Sequence, residues 1–234
     1  MRMMFKSASY SLNRKFWLAA CVAAGQRIRW HNDTPQRADI THQKRLWIDL
    51  QGVAGELLAL RHANQFGGEC QINHGITRFN GPAPFDLRVG DVPIEVKCVF
   101  MEPHKRLLLI DERSVENMKS NKIRKLVAVL TSPGSCSAVV SRVIDIDQIV
   151  DFERRDMNGR RPYCISLESL CNLYMYKPFP KIALECSKCV MTDMELINAI
   201  EGQIDGSTIA DTVEEQQSAR KVVDRLAEFS TVSV

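Results

Sequence analysis

Two carboxylates and a lysine that are close together in the chain, Asp86, Glu95 and Lys97, are the residues best suited to chemistry. They flank a Gly90-Asp91 pair that separates two short apolar runs. A glycine at the first of two loop positions favours a type II′ turn, which joins antiparallel strands. The pattern therefore predicts a β-hairpin that carries all three side chains.

The hairpin sets the distance between the carboxylates. With a two-residue loop, Asp86 faces Glu95 in a non-hydrogen-bonded pair, whose Cα atoms lie about 4.5 Å apart with both side chains on one face. Like charges at that distance repel, and a hard divalent cation with oxygen ligands compensates them. Lys97 lies on the same face, whereas Ile94 and Val96 point into the core. The predicted arrangement is two anions and an ammonium beside a metal ion.

The elements around the hairpin predict a mixed α/β fold. Apolar residues recur at helical spacing in two segments, and Glu56 lies beside the apolar stripe of the second. The resulting order of helices and strands favours a mixed β-sheet covered by helices. The predicted helices are 11–30, 41–65 and 114–122, and the predicted strands are 70–79, 85–89, 92–99, 107–110, 126–131 and 138–144.

The motif formed by Pro84-Phe85-Asp86, the hairpin and Glu95-Val96-Lys97 resembles that of the PD-(D/E)XK, or restriction-endonuclease-like, nuclease superfamily. The preceding helix with Glu56 is similar to the acidic first helix of many members. The resemblance covers roughly residues 45–145. It departs from the family pattern because Phe85 stands between the proline and the aspartate.

This resemblance implies a restriction-endonuclease-like core that binds Mg²⁺, with Mn²⁺ as a substitute. The implied ligands are Asp86, Glu95, the backbone carbonyl of Val96 and, directly or through water, Glu56. Lys97 is implied to orient the attacking water and to offset charge in the transition state. A metal ion suits such hydrolysis because it stabilises developing negative charge and lowers the pKa of its water.

The implied activity is hydrolysis of phosphodiester bonds in DNA by a restriction-like, junction or repair, or nicking endonuclease. Many members of the superfamily act as dimers, so the resemblance also favours a homodimer, although no residue demonstrates one. The alternative is a catalytically silent nucleic-acid-binding or assembly module on the same fold, since a fold does not by itself imply an activity.

The formal net charge of +3 permits a polyanionic partner but is milder than that of many DNA-binding domains. Basic residues gather in two clusters, which are the candidate DNA contacts, and a solvated face is the alternative for each of them. The clusters are Lys119, Lys122, Arg124 and Lys125, and Arg154, Arg155, Arg160 and Arg161.

We predict a helical N-terminal extension at 1–40, the nuclease core at 41–150 and a C-terminal extension at 151–234. The last contains a basic loop, a Cys-containing stretch and an amphipathic helix at 211–229. The apolar run before Cys21 is too short for a signal peptide, and no stretch approaches the ~20 apolar residues of a membrane-spanning helix. We therefore expect a cytoplasmic protein without membrane contact and with reduced cysteines. A mitochondrial presequence is the alternative, because the first residues are basic and free of acids.

Four cysteines near the C-terminal end, Cys164, Cys171, Cys186 and Cys189, offer thiols that suit zinc or an iron-sulfur cluster. A single Cys-x-x-Cys pair is a weak indication, because structural zinc sites usually supply two closely spaced pairs. We therefore favour reduced, partly buried cysteines. The sequence contains no H-E-x-x-H, Gly-rich phosphate loop or G-x-S-x-G motif, which disfavours a zinc hydrolase, an ATP-driven motor and a serine hydrolase.

Overall fold

The structure, a computed structural model, describes residues 7–31, 41–65, 70–72, 85–101, 107–171 and 188–205. It is a mixed α/β protein, as the sequence predicts. The elements in chain order are β1 (Ala8–Ser11), α1 (Arg14–His31), α2 (His42–Gln65), β2 (Cys70–Ile72), β3 (Leu87–Val89), β4 (Val92–Phe100), β5 (Leu107–Ile110), α3 (Glu112–Ser120), β6 (Lys125–Thr131), β7 (Ser137–Val140), β8 (Ile144–Asp145), a 3₁₀ helix (Ile146–Asp151), β9 (Tyr163–Ser166), α4 (Leu167–Cys171) and α5 (Asp193–Asp205).

One mixed sheet organises these elements. Its strand order is β1-β7-β6-β4-β3-β2, with β8 also paired to β6. Strand β4 is parallel to β6 and antiparallel to β3. A parallel pair needs a crossover connection, and β5 and α3 lie within the one that joins β4 to β6. Strand β5 pairs with β9 in a separate two-stranded sheet.

Both faces of the sheet are buried, because alternate residues of its central strands point to opposite sides. Ile94 and Val96 of β4 belong to a cluster with residues of α1, α2 and α5. Val99 of the same strand belongs to a second cluster, with residues of α3, the 3₁₀ helix, β9 and α4. The sheet is thus the middle layer between two apolar cores.

The β3–β4 hairpin has the predicted register, with Leu87 opposite Ile94 and Val89 opposite Val92. Gly90 has a φ of +57°, whereas Asp91 does not have a positive φ. That is the φ pattern of a type II′ turn, in which only the first loop residue needs the left-handed half of conformational space. The predicted two-residue loop is therefore confirmed.

Several predicted elements differ in extent from the observed ones, since the predicted helix 114–122 is α3 and the predicted strand 85–89 is β3, which begins only at Leu87. The first helix begins at Arg14 and not at residue 11, because 8–11 form the edge strand β1 against β7. The predicted strand 138–144 is divided, because the Ser141 Oγ accepts the Ala128 N–H at 2.9 Å in place of a ladder carbonyl. Most of the predicted strand 70–79 and the whole predicted helix 211–229 lie outside the described residues.

Helices and strands of the two predicted terminal extensions pack into the same two apolar cores as the central segment. Residues of α1, from 1–40, and of α5, from 151–234, belong to the same cluster as α2. Residues of β9 and α4 belong to the cluster beneath the other face. Within the described ranges, no helix is both long enough and apolar enough to cross a membrane.

Helix α2 approaches β4 closely at Gly55. A Cβ at this position would lie 2.6 Å from the Cβ of Cys98 and 3.5 Å from its Cα. Such a distance is too short for two carbon atoms, and the neighbour belongs to a central strand that cannot move alone. Glycine at 55 therefore fixes the distance between the helix that carries Glu56 and the strand that carries Glu95 and Lys97.

We expect Gly55→Ala to lower the free energy of unfolding. Overpacking a core costs about 1–3 kcal/mol and outweighs the gain of about 1 kcal/mol in helix propensity. Gln43→Ala, at an exposed position of the same helix, is the control, because its side chain has no core to crowd. Urea unfolding of both variants checks this. Equal stability of the two variants would contradict the close approach at Gly55.

Candidate active site

The site forms where β3 separates from β4. The strand pairing ends at Leu87 and Ile94, one residue earlier than the predicted pairing of Asp86 with Glu95. Asp86 lies in a bend, and its Oδ2 accepts the backbone N–H of Val96 at 2.8 Å. A continued ladder would give that N–H to the carbonyl of Phe85. The Asp86 carboxylate therefore replaces a backbone partner at the edge of β4.

The same edge carries the backbone carbonyl of Val96. Both backbone groups of a residue in an antiparallel pair point to the same side of the strand, so the Val96 carbonyl lies on the side from which Asp86 approaches. The next carbonyl on this edge, that of Cys98, accepts the Nε2 of Gln51 at 2.6 Å. Beyond the end of β3, side chains therefore hydrogen-bond to backbone groups of β4 that a longer β3 would have bound.

Glu95 and Lys97 form an ion pair on the sheet face opposite to Ile94 and Val96. Their side chains are 17% and 34% exposed, so the pair is largely shielded from water but still reachable. The alternation of strand residues, which sends Val96 into the core, brings these two side chains to one face. The predicted orientation of Ile94 and Val96 into the core is confirmed.

Glu56 of α2 lies 7% exposed and is bound by Arg27 of α1. The Arg27 Nη2 donates to the Glu56 Oε2 at 2.6 Å. Burial raises the pKa of Glu56, and Arg27 lowers it by less. For Arg27 the balance is reversed, because burial lowers its pKa and Glu56 raises it by more. Arg27 and Glu56 therefore form a buried ion pair in which the arginine keeps its positive charge.

The four predicted residues act on one another electrostatically. Burial raises the pKa of Asp86 well above its ordinary value, and the charges of Glu95 and Glu56 raise it further. Burial lowers the pKa of Lys97, but Glu95, Asp86 and Glu56 outweigh this effect and raise it. Asp86, which binds the N–H of the residue between Glu95 and Lys97, is therefore within electrostatic range of those two side chains and of Glu56.

Arg27, Asp49 and Gln51 belong to this neighbourhood and were not singled out from the sequence. Asp49 is 1% exposed, and its charge contributes to the raised pKa of both Arg27 and Glu56. The spacing of Asp49, Gly52 and Glu56 places them on one stripe of α2. Two acids flanking a glycine on the buried face of a helix were the signal that could have identified this stripe. Arg27, in a different helix, had no such local signal.

The predicted DNA contacts lie near opposite ends of α3. In the first cluster Lys119 lies in the last turn of the helix, the other three residues follow it, and Lys125 lies beside Ile94 in the sheet register. Three of them form exposed or half-exposed ion pairs with Asp145 and Asp147, and Lys122 is exposed. In the second cluster, Arg154 pairs with Glu112, Arg160 with Asp111 and Arg155 with Glu153, and Arg161 is exposed.

The C-terminal cysteines are placed on different elements. Cys164 is buried in β9, where its thiol donates to the carbonyl of Pro162, and the side chain of Cys189 lies on the segment that pairs with Ser135. Cys186 and the side chain of Cys171 lie outside the described residues. In the described part of the chain, no three His, Cys, Asp or Glu side chains are placed so as to share a metal ion. Glu56 and Glu95 are each held by a cation there.

Comparisons of the chain with protein-family models, curated proteins and solved structures find no match. The interpretation of the site therefore depends on its own geometry and chemistry.

Replacing Asp86 with Asn should stabilise the metal-free protein at neutral pH. A carboxyl whose pKa is raised on folding holds its proton more tightly in the folded state, so stability falls as the pH rises from the ordinary value through the raised one. Asp86→Asn removes this loss while keeping an acceptor for Val96. We expect the Tm at pH 7 to rise by at least about 2–4 °C, the shift that about 1 kcal/mol produces in a domain of this size.

The pH dependence of Tm between about pH 4 and pH 8, measured in EDTA, should be flatter for Asp86→Asn than for the wild type. Asp91→Asn, at the exposed turn of the same hairpin, is the control and should leave the dependence unchanged. A lower Tm for Asp86→Asn at neutral pH would show that cations or hydrogen bonds offset the Asp86 charge in the folded state.

Proposed function

We propose that the protein is a Mg²⁺-dependent nuclease with a restriction-endonuclease-like core that hydrolyses phosphodiester bonds of DNA. The observation that carries the proposal is that Asp86 binds the N–H of Val96, the residue between the paired Glu95 and Lys97, at the point where β3 leaves β4, with Glu56 of the preceding helix in electrostatic range. The order of an acidic helix, a hairpin, a helix and a strand in one mixed sheet supports the finer fold assignment.

The donor set fits a hard divalent cation. Its side-chain donors are carboxylates, the ligands that Mg²⁺ prefers, and the Val96 carbonyl lies on the same strand edge. Asp86 is half-buried, its pKa is raised by burial and by two neighbouring carboxylates, and it has no ion pair among the described residues. A cation would offset this repulsion. Asp86, Glu95 and the Val96 carbonyl would hold the ion, with Mn²⁺ as a substitute.

Bound Mg²⁺ would supply a water of lowered pKa and a positive charge near the reacting phosphate. The positive charge that the protein itself would contribute beside the reacting phosphate is the Lys97 ammonium. This ammonium is kept protonated by Glu95 and Asp86 and is partly exposed, so it is available to a phosphate oxygen. Charge that develops on the phosphate during water attack is stabilised by such a fixed donor more strongly than by water.

The basic clusters supply the proposed DNA contacts, and their surroundings differ. Lys125 lies at the start of the strand beside β4, in register with Ile94 and one residue from the position of Glu95, which supports the first cluster as a DNA contact. Arg154 and Arg160 pair with acids at the start of α3, and Arg155 pairs with Glu153 of its own loop. Exposed ion pairs are weak, so phosphates can exchange with these acids. The first cluster is nevertheless the better candidate for close contact.

The central test is whether the purified protein nicks or cleaves plasmid DNA with Mg²⁺ and not with EDTA. Lys97→Ala removes a charge that acts mainly in the transition state, so the rate should fall by about 10²-fold or more while DNA affinity changes little. Single-turnover cleavage at saturating DNA measures this. Wild-type activity in Lys97→Ala would refute the role of the lysine, and DNA binding without any cleavage would favour a silent binding module.

A second prediction separates the two basic clusters. Replacing Lys119, Lys122 and Arg124 with Gln should weaken binding at every sequence and reduce the slope of log affinity against log salt by about 0.9 per lost contact. The triple replacement of Arg154, Arg155 and Arg160 with Gln is the matched comparison and should change the slope less. Affinity measured in Ca²⁺, to prevent turnover, decides between them. A larger change for the arginine variant would reverse the assignment.

A further inference from the structure

The Arg27 side chain reaches Glu56 past Gly52, where the absence of a Cβ leaves room for the guanidinium. A Cβ at Gly52 would lie 2.9 Å from the Nη1 of Arg27, so a larger residue would crowd the guanidinium. The side chain lies against α2 between Asp49 and Glu56, two carboxylates of the same helical stripe. It is 9% exposed and therefore has almost no contact with solvent. Arg27 is thus an internal cation of the site.

The ion pair with Arg27 bears on what Glu56 can bind. A divalent ion that used the Oε2 of Glu56 as a direct ligand would have to displace the guanidinium at 2.6 Å, and an ion on Oε1 would lie beside the same positive charge. Displacement would leave the arginine charge buried without its partner, which is the costly outcome for a buried pair. Asp86 has no ion pair to give up among the described residues, and the Lys97 side chain is 34% exposed, so water can solvate its ammonium if it leaves Glu95. A metal ion is therefore taken up more readily at the hairpin than at α2.

We propose that Arg27 takes the place of a second metal ion, so that each chain binds one divalent ion and Glu56 is a positioning residue and not a metal ligand. The inference rests on the proposed function. Arg27 holds Glu56 on α2, and Glu56 adds a fixed negative charge beside Asp86. Arg27 itself does not touch the substrate.

Binding of Mn²⁺, counted by isothermal titration with electron paramagnetic resonance of the free ion, tests the inference. The wild type should bind one ion and Asp86→Asn none. Glu56→Gln should still bind one ion, with an affinity reduced by no more than about 10–100-fold, the effect of losing an outer-shell partner. Arg27→Met frees the Glu56 carboxylate and should bind a second ion.

Thermal unfolding provides a readout that does not depend on activity. Metal-free Arg27→Met should melt below the wild type, because the Glu56 charge is left buried without a partner. Mn²⁺ should raise its Tm by more than it raises that of the wild type, since the ion replaces the lost cation. The double variant Arg27→Met with Glu56→Gln lacks both charges. It should recover Tm without metal and return to one ion, and it carries the test if Arg27→Met alone does not fold.

Two ions on the wild type, or complete loss of the ion in Glu56→Gln, would overturn the inference. The same Mn²⁺ shift in Arg27→Met and in the wild type would do so as well. A wild type that binds no Mn²⁺ would instead overturn the proposed function, while the Tm of the double variant would still report on the Arg27–Glu56 pair.

Discussion

Repulsion among buried carboxylates is the interaction on which the arrangement of the site depends. Glu56 is buried and Asp86 is half-buried in a region that also contains Glu95, and burial and mutual repulsion both raise the pKa of Asp86. Such a group is stable only when cations and hydrogen-bond donors are fixed around it. Arg27, Lys97 and the Val96 N–H have this function in the described structure. The first comes from α1, and the other two are consecutive residues of β4.

Backbone geometry makes this compensation possible. The type II′ turn sets the hairpin register, and the early end of pairing at Leu87 leaves one edge of β4 open to side chains. Gly55 allows α2 to approach that strand, and Gly52 allows Arg27 to lie against the same helix. One glycine thus serves a contact between a helix and a strand, and the other a contact between a helix and a charged side chain. The position of Glu56 relative to Glu95 follows from both.

Local patterns predicted the parts of the site that lie within one hairpin. The Gly90-Asp91 turn fixed the register, and strand alternation placed Glu95 and Lys97 on one face and Val96 in the core. The bend at Asp86 was missed because it depends on a side chain that competes with the Phe85 carbonyl for a backbone N–H. Arg27 was missed because its partner is distant in the chain, and a helical arginine gives no sign of the carboxylate it will meet. The roles of these residues in metal binding and catalysis stay predictions.

The ion pairs discussed above differ in burial, and burial determines how easily each of them can change partner. Arg27 with Glu56 is buried, so breaking the pair leaves a charge without solvent, and the pair behaves as a fixed part of the fold. The pairs of Arg154, Arg155 and Arg160 are exposed, contribute little stability and are screened by salt. Their acids can be exchanged for phosphates at small cost. Lys97 with Glu95 lies between these limits, shielded enough to stay oriented and open enough to change partner. Under the proposed function, the Lys97 charge would be present before the substrate arrives and could still respond to it.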